Sequence, residues 1–190
     1  MTAKRRLRQW SGPVLLAASI LFFLFLTGFP HATSLGAYRA QERSHLFGPG
    51  EVVAVIPTDS YYYRPDIYLA RTGNTWAVGV VNHLWSGSLL WTEGAFYTTQ
   101  NDDARPLVLM DAENWYSFYS DNLLFVLVND PAIARVEGTA FTEDGPVLLP
   151  QHTSGPGWAA LDYPYPANAR SPIHLRGYDA QDNLIYEITP

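Results

Sequence analysis

The sequence predicts an all-β sandwich domain preceded by one N-terminal transmembrane helix. Three observations predict this architecture. From residue 51 onward, short apolar or alternating runs are separated by turn residues. Near the N-terminus, one long apolar run carries no charge. Aromatic residues make up 14% of the chain and charged residues only 16%, which is typical of a packed domain rather than a disordered chain. The length of 190 residues fits one domain with a short appendage.

The predicted membrane segment lies at residues 14–29, directly after a basic cluster of Lys4, Arg5, Arg6 and Arg8. At 1.5 Å per residue, a helix that starts from Trp10 reaches about 30 Å, which is roughly the thickness of the hydrocarbon core. The positive-inside rule then keeps the basic cluster in the cytoplasm and places the rest of the chain outside. We therefore predict a cytoplasmic tail at 1–12 and a signal-anchor helix at 13–30.

A cleaved secretory signal is the alternative interpretation of the same segment. A basic region followed by an apolar region describes both fates, and Ser34-Leu35-Gly36 before Ala37 offers small residues near a plausible cleavage point. Both interpretations place the body of the protein outside the cytoplasm, either tethered to the cell membrane or secreted.

The composition of the body excludes several classes of function. The formal charge of the chain is −6, and the four basic residues of the first thirty leave −10 on the rest. An acidic body argues against a nucleic-acid partner and against docking on anionic headgroups. The chain has no cysteine, which excludes disulfides, thiolate metal sites and cysteine nucleophiles.

The folded domain is predicted to cover residues 51–190. Residues 31–50 mix polar and small side chains and end in Gly48-Pro49-Gly50, so we interpret them as a linker. Short runs typical of strands follow at 52–56, 61–70, 75–82, 88–92, 96–99, 106–110, 123–128, 133–141, 158–163, 173–178 and 184–188.

Turn residues predict hairpins between several of these runs, at 71–74, 129–131, 143–146 and 179–183. In the last of them, Asn183 is expected to adopt the left-handed conformation. The run 123–128 has no polar residue, which predicts a central strand buried on both faces. Residues 111–122 fit either a short helix or another aromatic strand.

Few residues form a pattern that carries chemistry. The histidines are scattered, so we predict no metal site and no cofactor. The pair Asp102-Asp103 lacks the spacing of a calcium loop. Neither a nucleophile elbow nor a phosphate-binding glycine loop is present in the sequence. Three acids set among aromatic residues are the candidates for carboxylate-dependent glycoside hydrolysis, namely Glu93, Asp111 and Glu113.

Aromatic clusters give the strongest indication of binding. In a strand, Tyr61 and Tyr63 share one face and Tyr62 takes the other, so some of these rings face outward. Exposed aromatic rings on a rigid scaffold stack on sugars or anchor protein partners. The alternative is that tyrosine covers the core because of its strand propensity. The candidate binding residues are Tyr61, Tyr63, Trp85, Trp91 and Trp115.

Two C-terminal segments, 128–137 (VNDPAIARVE) and 173–187 (IHLRGYDAQDNLIYE), carry a resemblance to known proteins. They resemble uncharacterised single-pass, extracytoplasmic β-domain proteins of Gram-positive bacteria. The second segment is also similar to the closing hairpin of immunoglobulin-like modules, whose turn more often carries glycine. The resemblance covers about the last third of the chain. It implies an immunoglobulin-like β-sandwich and an extracytoplasmic location, and it transfers no site residue.

These observations predict a membrane-tethered extracytoplasmic domain that works by binding, with an envelope protein as partner or as an accessory subunit. One alternative is a cell-wall glycan-binding module that uses the aromatic residues. Another is a hydrolase of wall polymers with Glu93, Asp111 or Glu113 as acid and base.

Overall fold

A computed structural model describes residues 3–26, 31–58, 65–84, 89–110, 123–142, 145–163 and 173–189. Within these residues, two helices precede strands that form three antiparallel sheets of four strands each. The protein is therefore predominantly β, as predicted. The elements are α1 (Ala3–Leu26), α2 (Ser34–Ser44), β1 (Glu51–Pro57), β2 (Asp66–Thr72), β3 (Thr75–His83), β4 (Trp91–Gln100), β5 (Leu107–Leu109), β6 (Leu123–Val128), β7 (Arg135–Thr142), β8 (Gly145–Leu149), β9 (Gln151–Gly155), β10 (Trp158–Asp162), β11 (Ile173–Tyr178) and β12 (Leu184–Ile188).

The three sheets differ in how the chain builds them. Sheet A is a meander in the order β1-β2-β3-β4, whereas sheet B has the order β5-β6-β10-β9 and sheet C the order β12-β11-β7-β8. After β6 the chain passes from sheet B to sheet C, returns for β9 and β10, and crosses again for β11 and β12. Pro150 separates β8 from β9 at one crossing, a position outside the strands where no ladder hydrogen bond is lost.

Strand β6 is buried on both faces, which confirms the prediction from its unbroken apolar run. Its odd-numbered residues, such as Phe125, pack into a cluster with Ile67 and Val78 of sheet A. Its even-numbered residues, such as Val126, pack into a second cluster with Leu175 of sheet C. Sheet B is therefore the middle layer of three. This differs from the predicted two-sheet sandwich, because an all-apolar strand needs cover on both sides.

Helix α2 packs on the outer face of sheet A, within the segment predicted as a linker. Thr33 caps the helix by accepting a hydrogen bond from Gly36 N at 3.0 Å. The Tyr38 ring stacks on Tyr68 with centroids 4.6 Å apart. It also lies over Gly79, where a Cβ atom would stand 2.7 Å from the ring. This corrects the linker prediction for residues 31–50, which belong to the fold.

Two buried polar residues explain why the helix was missed in the sequence. Gln41 donates through Nε2 to Val80 O at 2.9 Å, beside the bulge between β3 and β4. Glu42 accepts from Gly50 N at 3.0 Å and pairs with Arg39. Because Gln41 and Glu42 lie on the buried face, α2 lacks a clear apolar stripe. Burial raises the pKa of Tyr38 far above its ordinary value, and the neighbouring Glu42 carboxylate adds to this, so the phenol stays neutral.

Other strand boundaries differ from the predictions. Of the predicted strands at 88–92 and 96–99, residues 91–92 and 96–99 belong to β4, and residue 88 lies outside the described residues. Glycine at position 94 lets β4 lie close to β3, since a Cβ atom there would stand 2.6 Å from Val80 O. Strand β9 was not predicted, and β8 was predicted only through the turn at 143–146 that precedes it. The short helix or strand at 111–122 lies outside the described residues.

Three of the four predicted hairpins are confirmed, those that join β2 to β3, β7 to β8 and β11 to β12. The fourth, at 129–131, is wrong because β6 and β7 lie in different sheets. In the last hairpin Asp182, not Asn183, is left-handed, with φ of 61°. Aspartate, like asparagine, enters this region more readily than most residues other than glycine.

Helix α1 begins at Ala3 and contains Pro13. Two runs of consecutive large apolar side chains, 14–16 and 20–23, are 47–67% exposed. Within the described part of the chain, no helix has both the length and the apolar character needed to cross a membrane. The structure therefore does not support the transmembrane helix predicted at 13–30.

The central position of β6 predicts a large difference between two phenylalanine variants. Phe125 is 1% exposed and Phe141, on β7, is 44% exposed. Phe125→Ala should lower the free energy of unfolding by about 3–5 kcal/mol, because it leaves a cavity between sheets A and B. Phe141→Ala should change it by about 0.5 kcal/mol. Urea denaturation of both variants checks this prediction. Equal losses of unfolding free energy in the two variants would mean that β6 is not the centre of the core.

Candidate binding site

The structure describes one of the five predicted binding aromatics. Trp91 opens β4, is half-buried, and lies against the His83 ring with centroids 3.8 Å apart. Its backbone exchanges two hydrogen bonds with His31, at 2.7 and 2.8 Å, so the chain before α2 pairs with the start of β4. The other four residues lie outside the described residues, namely Tyr61, Tyr63, Trp85 and Trp115.

Glu93 is the one described member of the three candidate acids. It lies two residues after Trp91 on the same face of β4, so the structure brings these two predicted residues together. Its Oε1 atom is 3.9 Å from His31 Nε2, and its Oε2 atom accepts a hydrogen bond from Ser44 Oγ at 3.4 Å. Asp111 and Glu113 lie outside the described residues, so the geometry of a carboxylate pair is not defined.

No group of three or more potential metal ligands comes together among the described residues. Histidines pair instead with single carboxylates. His152 Nδ1 lies 2.9 Å from Asp162 Oδ1, and His174 Nε2 lies 2.9 Å from Glu187 Oε1. Arg176 also donates a hydrogen bond from Nε to Glu187 Oε1 at 3.0 Å. This bond is the main reason why the pKa of the Glu187 carboxyl is lowered. The Arg176–Glu187 ion pair lies at the surface.

A groove opens at the seam between sheets B and C. It has a volume of about 330 Å³. One wall is the crossover from β6 to β7, and the other is the β9–β10 hairpin. Buried Ile133, Val136 and Ala159 contribute apolar side chains to the groove. The polar lining residues are Asn129, Asp130, Gln151 and Ser154. We call this feature the BC groove.

A network of asparagine side chains fixes the first wall of the BC groove. Asn129 donates through Nδ2 to Asn101 Oδ1, Asp102 O and Arg105 O at 2.8–3.1 Å. Asn101 in turn donates to Asn129 Oδ1 at 2.9 Å, and its backbone bonds to Asn74 at the β2–β3 turn. The crossover is therefore tied to loops of sheets A and B, which makes the wall a preformed surface.

The second wall is held by Gln151 and Trp158. Gln151 Oε1 accepts a hydrogen bond from Val136 N at 3.0 Å, which joins β9 to β7 across the two sheets. The same side chain donates to Ser154 Oγ at 3.1 Å. The Trp158 indole packs over Gly155, where a Cβ atom would lie 2.6 Å from Nε1. Only glycine lets the ring approach the hairpin this closely.

The chemistry of the BC groove suits binding better than proton transfer. Among the described residues that line it, Asp130 is the sole ionisable one. An apolar floor with a few polar groups on the rim is typical of sites that hold a ligand by shape. No local sequence pattern predicts this groove, because its walls come from segments far apart in the chain. Gly155-Pro156-Gly157 was a turn signal that could have identified the β9–β10 hairpin.

Comparison with known proteins places the chain in a family. No curated protein and no solved structure matches it. A family model described as "Domain of unknown function (DUF5044)" matches residues 30–144, which is more than half of the chain. The matched region contains α2, sheet A and the β6–β7 wall of the BC groove, but not the β9–β10 wall. The chain belongs to this family of domains of unknown function, DUF5044.

Proposed function

We propose that the protein is an extracytoplasmic binding domain, tethered to a cell membrane, that holds a segment of an envelope protein in the BC groove. The groove itself is the observation that carries this proposal. It combines a buried apolar floor with a polar rim, and hydrogen bonds between sheets fix both of its walls. Preformed grooves of this kind bind with little loss of conformational entropy.

A protein segment suits the groove better than a glycan. Sugar rings stack on exposed aromatic faces, but Trp158, the aromatic residue of the groove, is 5% exposed. Trp91 lies against His83 and is half-buried, so its ring is also partly covered. A groove of about 330 Å³ has room for a few side chains of an extended segment. The acidic Asp130 on the rim favours a segment with a positive charge.

The membrane tether rests on the N-terminal sequence and on the exposure of α1. Four basic residues precede an uncharged apolar run at 14–29, which favours an orientation with the N-terminus inside the cell. Apolar side chains that are exposed in consecutive positions, such as Leu15 and Leu16, point in different directions around a helix. A lipid environment would surround apolar side chains on every side of the helix.

We also propose that sheets B and C form the immunoglobulin-like part of the protein. The chain crosses between these two sheets three times, as in sandwiches whose strands alternate between layers. Sheet A and α2 are then additional layers on the side of sheet B that faces away from the groove. The BC groove would then lie between the two sheets of the sandwich.

Blocking the BC groove should abolish capture of the partner. Ser154 is exposed and lines the groove, so Ser154→Trp places a bulky ring in it. With the full-length protein as bait in detergent-solubilised membranes, capture of the specific partner should fall about tenfold or more, as when a binding hot spot is lost. The matched control is His152→Trp, which changes an exposed residue of the same strand outside the groove and should retain capture.

A parallel assay on insoluble cell wall distinguishes the glycan alternative. We expect no retention of the wild-type protein on wall material. Retention on the wall that is unaffected by Ser154→Trp and lost in Trp91→Ala would contradict the proposal and favour a glycan-binding module. Release of soluble sugar by the wild-type protein that disappears in Glu93→Gln would favour a hydrolase.

Protease accessibility tests the location. Protease added to intact, wall-stripped cells should digest the body of the protein, from α2 onward, and leave only a short N-terminal fragment. The reason is that the basic cluster at Lys4–Arg8 keeps the N-terminus inside. A cytoplasmic marker protein must stay intact in the same sample. A body that is digested only after cell lysis would refute the extracytoplasmic location.

A further inference from the structure

Two sheet edges meet at the BC groove. Within the described residues, β9 is the outermost strand of sheet B and β8 is the outermost strand of sheet C. Pro150 alone separates β8 from β9, so the two edges are adjacent. The edge of a sheet presents main-chain N–H and C=O groups with which another extended chain can pair. The edges beside the groove are therefore candidate sites for recognition of a main chain.

The register of sheet B shows which main-chain groups of β9 face outwards. Asp162 N, on β10, donates to Pro150 O at 2.9 Å, on the β9 side. Hydrogen-bonding directions alternate along a strand, so Ala160, two residues before Asp162, also faces β9, where its partner is Thr153. The next residue of β9, Ser154, therefore directs its N–H and C=O away from β10. Because Ser154 lines the BC groove, these two groups lie at the groove.

Sheet C has a gap in its ladder at the same place. Strand β7 begins at Arg135, but its pairing with β8 begins only at Gly138, opposite Leu149. In this gap a side chain replaces the missing strand, since Gln151 Oε1 accepts a hydrogen bond from Val136 N at 3.0 Å. The start of β7 thus lines the BC groove without a neighbouring strand on that side, among the residues that the structure describes.

The sequence of β9 leaves its edge able to pair. Natural sheet edges are commonly protected by charged residues, by proline or by a bulge. Strand β9 (QHTSG) contains no Asp, Glu, Lys, Arg or Pro, and its bulge lies opposite Ala160 and Leu161, away from the β9–β10 turn. By contrast, the edge strand β1 contains Glu51 and Pro57, and the edge strands β4 and β12 each contain a glutamate.

We propose that the partner segment binds in extended form and adds to sheet B as a strand beside β9, with main-chain hydrogen bonds to Ser154. This inference rests on the function proposed above and specifies how the BC groove recognises its partner. In this mode main-chain bonds supply affinity, and alternate side chains supply specificity. The side chains that face sheet C meet Ile133 and Val136, so we expect them to be apolar. A lysine or arginine near Asp130 complements the charge of the rim.

Random linear peptides displayed on phage, selected on the immobilised full-length protein in detergent, supply the probe. Selected peptides that bind the wild type but not Ser154→Trp are synthesised as ligands of the BC groove. Each peptide is then N-methylated at one position at a time, which removes one N–H donor. In an added strand only every second residue turns its main chain towards β9. We therefore expect affinity to fall about tenfold at alternate positions and to change little at the positions between them.

Ser154→Pro and Ser154→Ala test the same contact from the protein side. Both variants lack the serine hydroxyl, but only proline also removes the outward N–H. Proline is compatible with an edge strand because this N–H makes no bond to β10. Ser154→Pro should therefore bind the synthesised peptides about tenfold more weakly than Ser154→Ala, at a similar melting temperature.

The possible results separate this inference from the function on which it rests. Peptides that bind the groove but lose affinity equally at successive methylated positions would overturn strand addition and leave groove binding intact. Equal affinity of the two Ser154 variants, with both of them folded, would do the same. A library that yields no peptide sensitive to Ser154→Trp would contradict the proposed function itself, and this inference with it.

Discussion

The need to cover β6 on both faces determines how this protein is layered. A strand of six apolar residues cannot lie at a surface, and burial of each such side chain contributes about 1.5–3 kcal/mol. Sheet A covers one face of β6 and sheet C covers the other. Sheet B is therefore the middle layer, and its other inner strand, β10, is also buried from Trp158 to Leu161. The BC groove lies where the chain leaves this middle layer.

Apolar burial alone does not fix how the layers sit on one another, and buried polar contacts supply that specificity. Gln41 bonds to a carbonyl exposed by the bulge in β3, and Glu42 bonds to the backbone at Gly50. At another position, Asn101 and Asn129 bond to each other between loops of different sheets. Each of these groups would be left unsatisfied if its layer shifted, and an unsatisfied buried group is costly.

The parts of the fold that the sequence predicts well are those in which local pattern and burial agree. The bounds of β6, β11 and β12 match the predicted runs, because apolar or alternating segments end there at clear turns. Helix α2 was missed because its buried face carries Gln41 and Glu42, and the partner of Gln41, Val80 O, is distant in sequence. Strand β9 was missed because it has no apolar alternation, whereas β8 was predicted only through the turn before it.

The candidate sites depend still more on tertiary structure. Trp91 and Glu93 share a face of β4 by simple strand periodicity, and the contact of Trp91 with His83 comes from the pairing of β3 with β4. The contact of Trp91 with His31 comes from the path of the chain before α2. The BC groove joins Asn129 to Ser154, which belong to different strand connections. None of these relations is encoded in a local motif.

Native-state hydrogen exchange on the full-length protein tests most directly whether β6 is the centre of the structure. Amides that exchange only through global unfolding report the most stable part of a protein. We expect the amides of Leu124, Phe125 and Val126 to exchange at the free energy of global unfolding measured by denaturant. Those of the edge strand β12 should exchange at a lower free energy. Exchange of β6 at the same low free energy as β12 would contradict the account.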